Sequence, residues 1–390
     1  MRSALRMAMI GTCSLIVGSA LFAAPQEGSG MVPPSKDMQR WIDEAVARKM
    51  KEEKGGDSLG GKLENARKEL PFDLHGGAYL WHYEPLMAGA KNNTELYYAF
   101  LTIDAKEGDF GFHFEPHFRD TKLRPFFNSN IWAQEAYVSW KAPAELGVLK
   151  AGKEYSRFGH FWDGTFFGNQ PYFDGLKLDP DMGLSLENTK SIDKKLDLEY
   201  DLQFFTVDGR TNGSLQDRDT ISVAGARRRN MAVARIAPTY HFSDDTSLQL
   251  GGSYERFRAD FATPTRDDTV TRIGVDSQLV AGPVSVFGEW SHQSGRSVTD
   301  FPLTGSVSDD IDYVWCGVDY RWNKVTFRCA YSSAEYKDNH IKEMEWVPAI
   351  TWAASDHVSL LLEYDGWRRH TTGNDTALDR SLNLILYVYF

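Results

Sequence analysis

A serine preceded two residues earlier by a histidine, in His292-Gln-Ser294-Gly295, could supply a nucleophile and its base if a third group oriented the ring. The sequence offers no clear third member. His113, Glu115 and His117 alternate along one segment with no further ligands close by, so no metal site is expected. No glycine-rich phosphate loop leads into a helix, and no cofactor is expected. The segment from Ser156 to Asp181 is denser in useful groups. It carries Arg157, Asp163, Asp174, Asp179 and Asp181 among Phe158, Phe161, Trp162, Phe166, Phe167, Tyr172 and Phe173. Beside an aqueous passage, those acids would face Arg229 and Arg235, and a transverse field between them would orient dipolar solutes and filter them by charge. Arg272, Arg321 and Arg328 share the parity of that basic set, whereas the face taken by Lys153 stays open because its segment alternates poorly. For any single one of these residues, the plain alternative is a solvated charge.

Such groups need a scaffold, and its rhythm is two residues from Phe72 to the end. Leu196, Leu198, Tyr200, Leu202 and Phe204 alternate with Asp197, Glu199, Asp201 and Gln203. Met344, Trp346, Pro348, Ile350 and Trp352 alternate with Glu343 and Glu345. Long strands with one greasy and one charged face fit a sheet held between lipid and water. About sixteen such segments can be marked, an even number as bacterial barrels require. Connections after odd strands are long, and those after even strands are tight, such as 105–108, 142–145, 191–194, 243–245 and Gly282. Alternating long and short connections are expected of a membrane barrel and not of a soluble sandwich. The expected fold is therefore all-β: a transmembrane antiparallel β-barrel over residues 71–390.

The N-terminal part reads differently. Arg2 and Arg6 precede the apolar run from Met7 to Phe22, with small residues at Ala23 and Ala24, so residues 1–24 are expected to be a cleaved signal peptide. Residues 25–70 read as a periplasmic linker or short helical segment, with Leu59, Leu63, Ala66 and Leu70 at heptad-like spacing; a short oligomerising coil is the other option. The formal charge of -11 argues against nucleic acid as a partner. The mean hydropathy of -0.43 would suit a soluble protein, but a membrane barrel shows lipid only every second residue.

One of the 3 cysteines lies in the leader, leaving Cys316 and Cys329 on adjacent segments with lipid-facing parity. With a turn centred near Trp322-Asn323 they would lie opposite each other, so a disulfide is expected, with two free thiols as the alternative.

Glu135-Ala-Tyr-Val-Ser-Trp140 and Gly147-Val-Leu-Lys-Ala-Gly-Lys153, followed by the aromatic loop 156–181, resemble the general bacterial porin superfamily. The resemblance is detailed over about Gln134–Glu187 and architectural elsewhere, with phosphate-selective and dicarboxylate-type porins the nearest forms. It implies an outer-membrane, Gram-negative location, passive diffusion of small polar solutes or ions, a third loop folded inward, and a homotrimer in lipid. The last strand, Leu382, Leu384, Leu386, Val388 and Phe390 on one face, resembles the signal read by the barrel assembly machinery. The rival resemblance is His292 and Ser294 to outer-membrane phospholipase A, which lacks here the family's Asn after the serine. A loop with so many rings must bury them, inside the barrel or over a neighbouring subunit.

Overall fold

Alternation dictates strands, and strands with one apolar face must find both lipid and partners for every backbone group. The computed structural model describes residues 72–119, 131–160, 165–166, 180–207, 226–261, 268–298, 307–338 and 340–390. The expected signal peptide, the 25–70 helical segment, and Asp163, Asp174 and Asp179 lie outside the described residues.

Sixteen strands run in chain order: β1 (Asp73–Pro85), β2 (Asn93–Glu107), β3 (Phe110–Phe118), β4 (Ile131–Ala142), β5 (Gly147–Tyr155), β6 (Pro180–Ser191), β7 (Leu196–Val207) and β8 (Ala226–Ser243). They continue with β9 (Thr246–Phe261), β10 (Asp268–Ala281), β11 (Val284–Val298), β12 (Val307–Trp322), β13 (Val325–Tyr336), β14 (Ile341–Ser355), β15 (Val358–Thr371) and β16 (Asn374–Tyr389). Every strand pairs antiparallel with its chain neighbours, and β1 pairs with β16 to close the barrel. Phe390 joins the seam, since its N–H donates to the Gly76 carbonyl at 2.9 Å and its carbonyl accepts from Gly76 at 3.2 Å. Closure leaves no unpaired edge, the condition for a sheet in hydrocarbon.

Burial is inverted relative to a soluble domain. Trp346, Ile350 and Trp352 are exposed on β14, while Glu343, Glu345, Val347 and Ala349 are buried on its other face. Leu202 and Phe204 are likewise exposed, with Asp201 and Gln203 buried. Exposed apolar rows and buried acids are what an apolar solvent outside and a polar interior produce.

Tight turns sit where the alternation places them. Gly108, Gly282 and Asn323 take left-handed φ of 59°, 55° and 51°, as two-residue hairpins demand. The final connection, after the odd strand β15, is short where the alternation predicts a long one. Only Thr372 and Gly373 separate β15 from β16, and the polar residues Asn374, Asp375 and Thr376 extend the strand beyond the apolar band.

The expected disulfide is corrected. Cys316 and Cys329 are free thiols, because the turn lies at Asn323-Lys324 and pairs Trp322 with Val325. That register sets Cys316 opposite Tyr331 and Cys329 opposite Val318, two residues out of line. A pair offset diagonally by two residues is too far apart to bridge without moving backbone.

Candidate pore and its inward loop

The segment after β5 turns into the barrel, and its own backbone shows the path. Ser156 Oγ donates to Glu255 Oε2 on β9 at 3.2 Å, and the Arg157 N–H to Gln203 on β7 at 2.7 Å. The Gly159 N–H reaches Ser253 on β9 at 2.9 Å, and that of His160 reaches Glu289 on β11 at 2.8 Å. Farther along, the Phe166 N–H donates to Glu363 on β15 at 2.7 Å. A segment leaving β5 that bonds β7, β9, β11 and then β15 crosses the interior. Each contact gives a loop N–H, otherwise costly to bury, a partner on the wall.

Apolar packing fixes the root of that crossing. Phe158 is fully buried in a cluster with Phe205, Met231, Val233, Phe257 and Val270, all from β7 to β10. A Cβ on Gly274 would strike the Phe158 ring, and one on Gly159, where φ is +64°, would overlap the Glu289 carboxylate. Two glycines therefore make room for a ring and a latch. Residues 156–160 and 165–166 of the aromatic loop thus lie against the inner wall of the barrel.

The arginines of the wall have partners on neighbouring strands. Arg235 on β8 makes a two-pronged contact with Asp276 on β10, reaching across β9, where Gly251 lacks the Cβ that would overlap the Asp276 carboxylate. Arg272 binds Glu255 and, through Nε, Gln293 at 2.8 Å; Arg328 Nε donates to Asp319 at 2.7 Å. Each of these arginines thus meets an acid within two strands on the same wall. Arg157 sits among Glu187, Glu135, Asp201 and Glu154, and Asp181 is buried on β6 opposite Glu154. Arg229 is exposed beyond Asn230, whose φ of 50° marks a slip in the β8–β9 register, so its parity with Arg235 does not carry it into the buried set. Lys153 is buried and donates to the Ala133 carbonyl at 2.6 Å, next to a register slip between β3 and β4.

At the short-turn end the interior opens into a cavity of 740 Å³ lined by Asp73, Asp104, Lys106, His113, Ser139 and Asn188, among others. His113 Nδ1 lies 2.8 Å from Asp104 and His117 Nε2 lies 2.7 Å from Glu115, so each ring is hydrogen-bonded to a carboxylate of the wall.

His292 and Ser294 face outward, by the parity that buries Ser291 and Gln293. The structure supplies the orienting group that the sequence concealed: Asp312 on β12 lies 2.9 Å from His292 Nδ1. Among the described residues, however, Ser294 makes no hydrogen bond to His292. The ring joins instead a cluster in which Lys337 Nζ lies 2.9 Å from Asp310 and 3.2 Å from Asp312. Burial works against the Lys337 charge, but its hydrogen bonds and attraction to Asp310 and Asp312 outweigh it and raise the pKa. His292, Asp310 and Asp312 have the spacing of metal ligands, and the ammonium already meets their charge.

A family model described as Gram-negative porin matches residues 87–369. Among solved structures, OmpF of Salmonella typhi in complex with daunomycin superposes with a TM-score of 0.62 at 11% identity, covering 82% of this chain and 97% of that one. The outer-membrane channel DcaP of Acinetobacter baumannii gives 0.58 at 13% identity, with 82% and 97% covered. The trimer form of OmpT, an outer-membrane protein of Vibrio cholerae, gives 0.54 at 12% identity, with 82% and 99% covered. No curated protein sequence matches the chain.

Proposed function

The chain belongs to the Gram-negative porin family, and from that premise we propose that its passive pore is narrowed by the segment 156–181 and prefers cations. The protein is an outer-membrane porin through which small hydrophilic solutes diffuse. The observation that carries the narrowing is the chain of anchors from Ser156 to Phe166 across the interior. Cation preference follows from the balance of charge on the wall. Beside the acids of the pairs Arg235–Asp276, Arg272–Glu255, Arg328–Asp319 and Arg369–Glu343, the buried wall carries Glu154, Asp181, Asp201, Glu289, Glu345, Glu363 and Asp365. Its buried bases beyond those pairs are fewer, Arg119, Lys150 and Lys153, with Arg157 half-buried. Acids lining a narrow, low-dielectric passage raise the local concentration of cations.

The reversal potential in a salt gradient across a planar bilayer is expected to carry the sign of cation selectivity. Replacing Asp163 and Asp174 with Asn should move it toward anions. An anion-selective wild type would overturn the preference, and an unmoved potential in the variant would remove those two acids from the ion path.

Catalysis is not part of this reading. Ser294 lacks the hydrogen bond to its base that a serine nucleophile requires, and the His292–Asp312–Lys337 cluster has a simpler role in neutralising charge at the upper rim. We also take residues 1–24 as a cleaved leader, 25–70 as a periplasmic segment, and the strand ending at Phe390 as the part presented to the assembly machinery.

A homotrimer is proposed from the outer surface. Aromatic side chains punctuate the lipid face elsewhere, as at Tyr240, Phe242, Tyr320, Trp322, Trp346 and Trp352. On β16, β1 and β2 the outward set is Leu382, Leu384, Leu386, Val388, Leu74, Ala78, Leu80, Ala99, Leu101 and Ile103, with Phe390 as its ring at the short-turn end. A face with one ring at its lower edge and small residues at its middle suits close packing against a second copy.

A further inference from the structure

One wall of the interior is aromatic rather than charged. β1 turns Tyr79, Trp81 and Tyr83 inward, by the parity that leaves Leu80 exposed outside. On β2 a register slip against Tyr79 and Leu80 sets Tyr98 opposite Tyr79 and leaves Tyr97 as the extra residue, so both rings join the same wall. Tyr79 lies 4.6 Å from Tyr98 and 4.6 Å from Tyr387 of β16, Trp81 lies 5.8 Å from both Tyr83 and Tyr97, and Tyr98 lies 6.4 Å from Trp132 of β4. The crossing loop meets this wall, since Phe166 lies 5.3 Å from Trp81 and 4.9 Å from Tyr97. From the level of Gly77, which is paired with Phe100, up to Tyr83 is six residues, or about 20 Å along the strand.

Trp81 is buried, but the rings around it do not form a sealed core. Tyr79, Tyr83, Tyr97, Tyr98 and Trp132 are half-buried, and polar groups sit at the ring edges. Tyr83 Oη donates to Asp379 at 3.0 Å, Trp81 Nε1 donates to Asn383 at 2.9 Å, and the Arg119 guanidinium lies 4.4 Å over Trp132. Flat apolar faces bordered by a carboxylate and a guanidinium match one chemistry well: a sugar ring, whose C–H face stacks while its hydroxyls both donate and accept. An aromatic cation would use the faces and the acids but not the Arg119 donors.

We propose that this wall, running past the inward loop, is a binding track for neutral saccharides, so that the pore takes sugars through a weak site and not by size alone. The proposal rests on the porin reading and extends it to a solute class. The test uses the purified full chain in planar bilayers, with maltohexaose as probe, a polyethylene glycol of matched hydrodynamic size as control, and phenyltrimethylammonium as the rival ligand. Ion conductance in plain salt reports the porin reading on its own, and its absence sinks that reading. Given conductance, maltohexaose should block the current saturably and the glycol should not. The Tyr97→Leu/Tyr98→Leu variant should raise the half-blocking concentration at least tenfold, the order expected for removing stacking rings, and Tyr97→Phe should leave it nearly unchanged. Should the double variant fail to fold, Tyr83→Leu makes the same comparison. Block no greater than that of the glycol, half-block unmoved by ring removal, or saturable block by phenyltrimethylammonium alone each overturns the saccharide track.

Discussion

Arg235 and Asp276 show what a buried charge needs inside this barrel. The guanidinium fork meets both carboxylate oxygens, and both side chains are almost wholly shielded. Removing one partner strands the other in a site of low dielectric, a loss of about 3–5 kcal/mol for a buried pair. Asp276→Asn is therefore expected to lower the unfolding midpoint of the detergent-solubilised barrel, and the Arg235→Gln/Asp276→Asn pair should recover part of it. A double variant no more stable than the single would mean that the two charges do not act as a pair. At this scale the sequence disclosed types but not partners. Arg235 could be marked as inward from its parity, whereas its acid sits two strands away and meets it only because Gly251 leaves a gap between them. Tyr97 is another instance, because strict alternation puts it on the face opposite Tyr98 and the register slip brings both inward.

Loop and wall form the unit at the next scale. The inward segment is held by backbone donors to Glu289 and Glu363 and by Phe158 in its apolar cluster. Gly159 is a position where the loop lies hard against the wall, and its φ of +64° penalises any side chain in addition to the overlap with Glu289. Gly159→Ala should push the loop off the β11 wall while leaving the strand ladders intact. The expected reading is an altered, noisier single-channel conductance with unchanged far-ultraviolet circular dichroism. Conductance identical to that of the wild type would mean that the loop does not bound the passage. The aromatic and glycine content of 156–181 was enough to anticipate that its rings must be buried, but left open whether inside the barrel or over a neighbour. It could not tell which strands receive the anchors, because Glu289 and Glu363 are 129 and 197 residues away from their donors.

Across the whole molecule, the smooth aliphatic face of β16, β1 and β2, whose ring is Phe390 at one edge, bears on assembly. Ala78 and Leu384 face outward near its middle, where a second copy would seat closely. Ala78→Arg is expected to convert trimers to monomers in mild detergent, as read by light scattering after size exclusion, with the barrel still folded by circular dichroism. Trimers that persist would move the interface to another face.

The sequence by itself determined the barrel. A period of two is a local property of extended backbone, and long connections alternating with tight ones reveal which end of each strand faces out, so about sixteen strands, their order and their lipid face can be read without a partner in view. Only the tertiary structure decided which charges neutralise each other, that Cys316 and Cys329 stay apart, that a short turn joins the last two strands, and that Tyr97 joins Tyr98 on one wall. Those outcomes depend on register, and register accumulates through every turn and bulge before closure of the ring fixes it. A slip of one residue leaves the pattern of types in the chain untouched and still changes every neighbour across the strands.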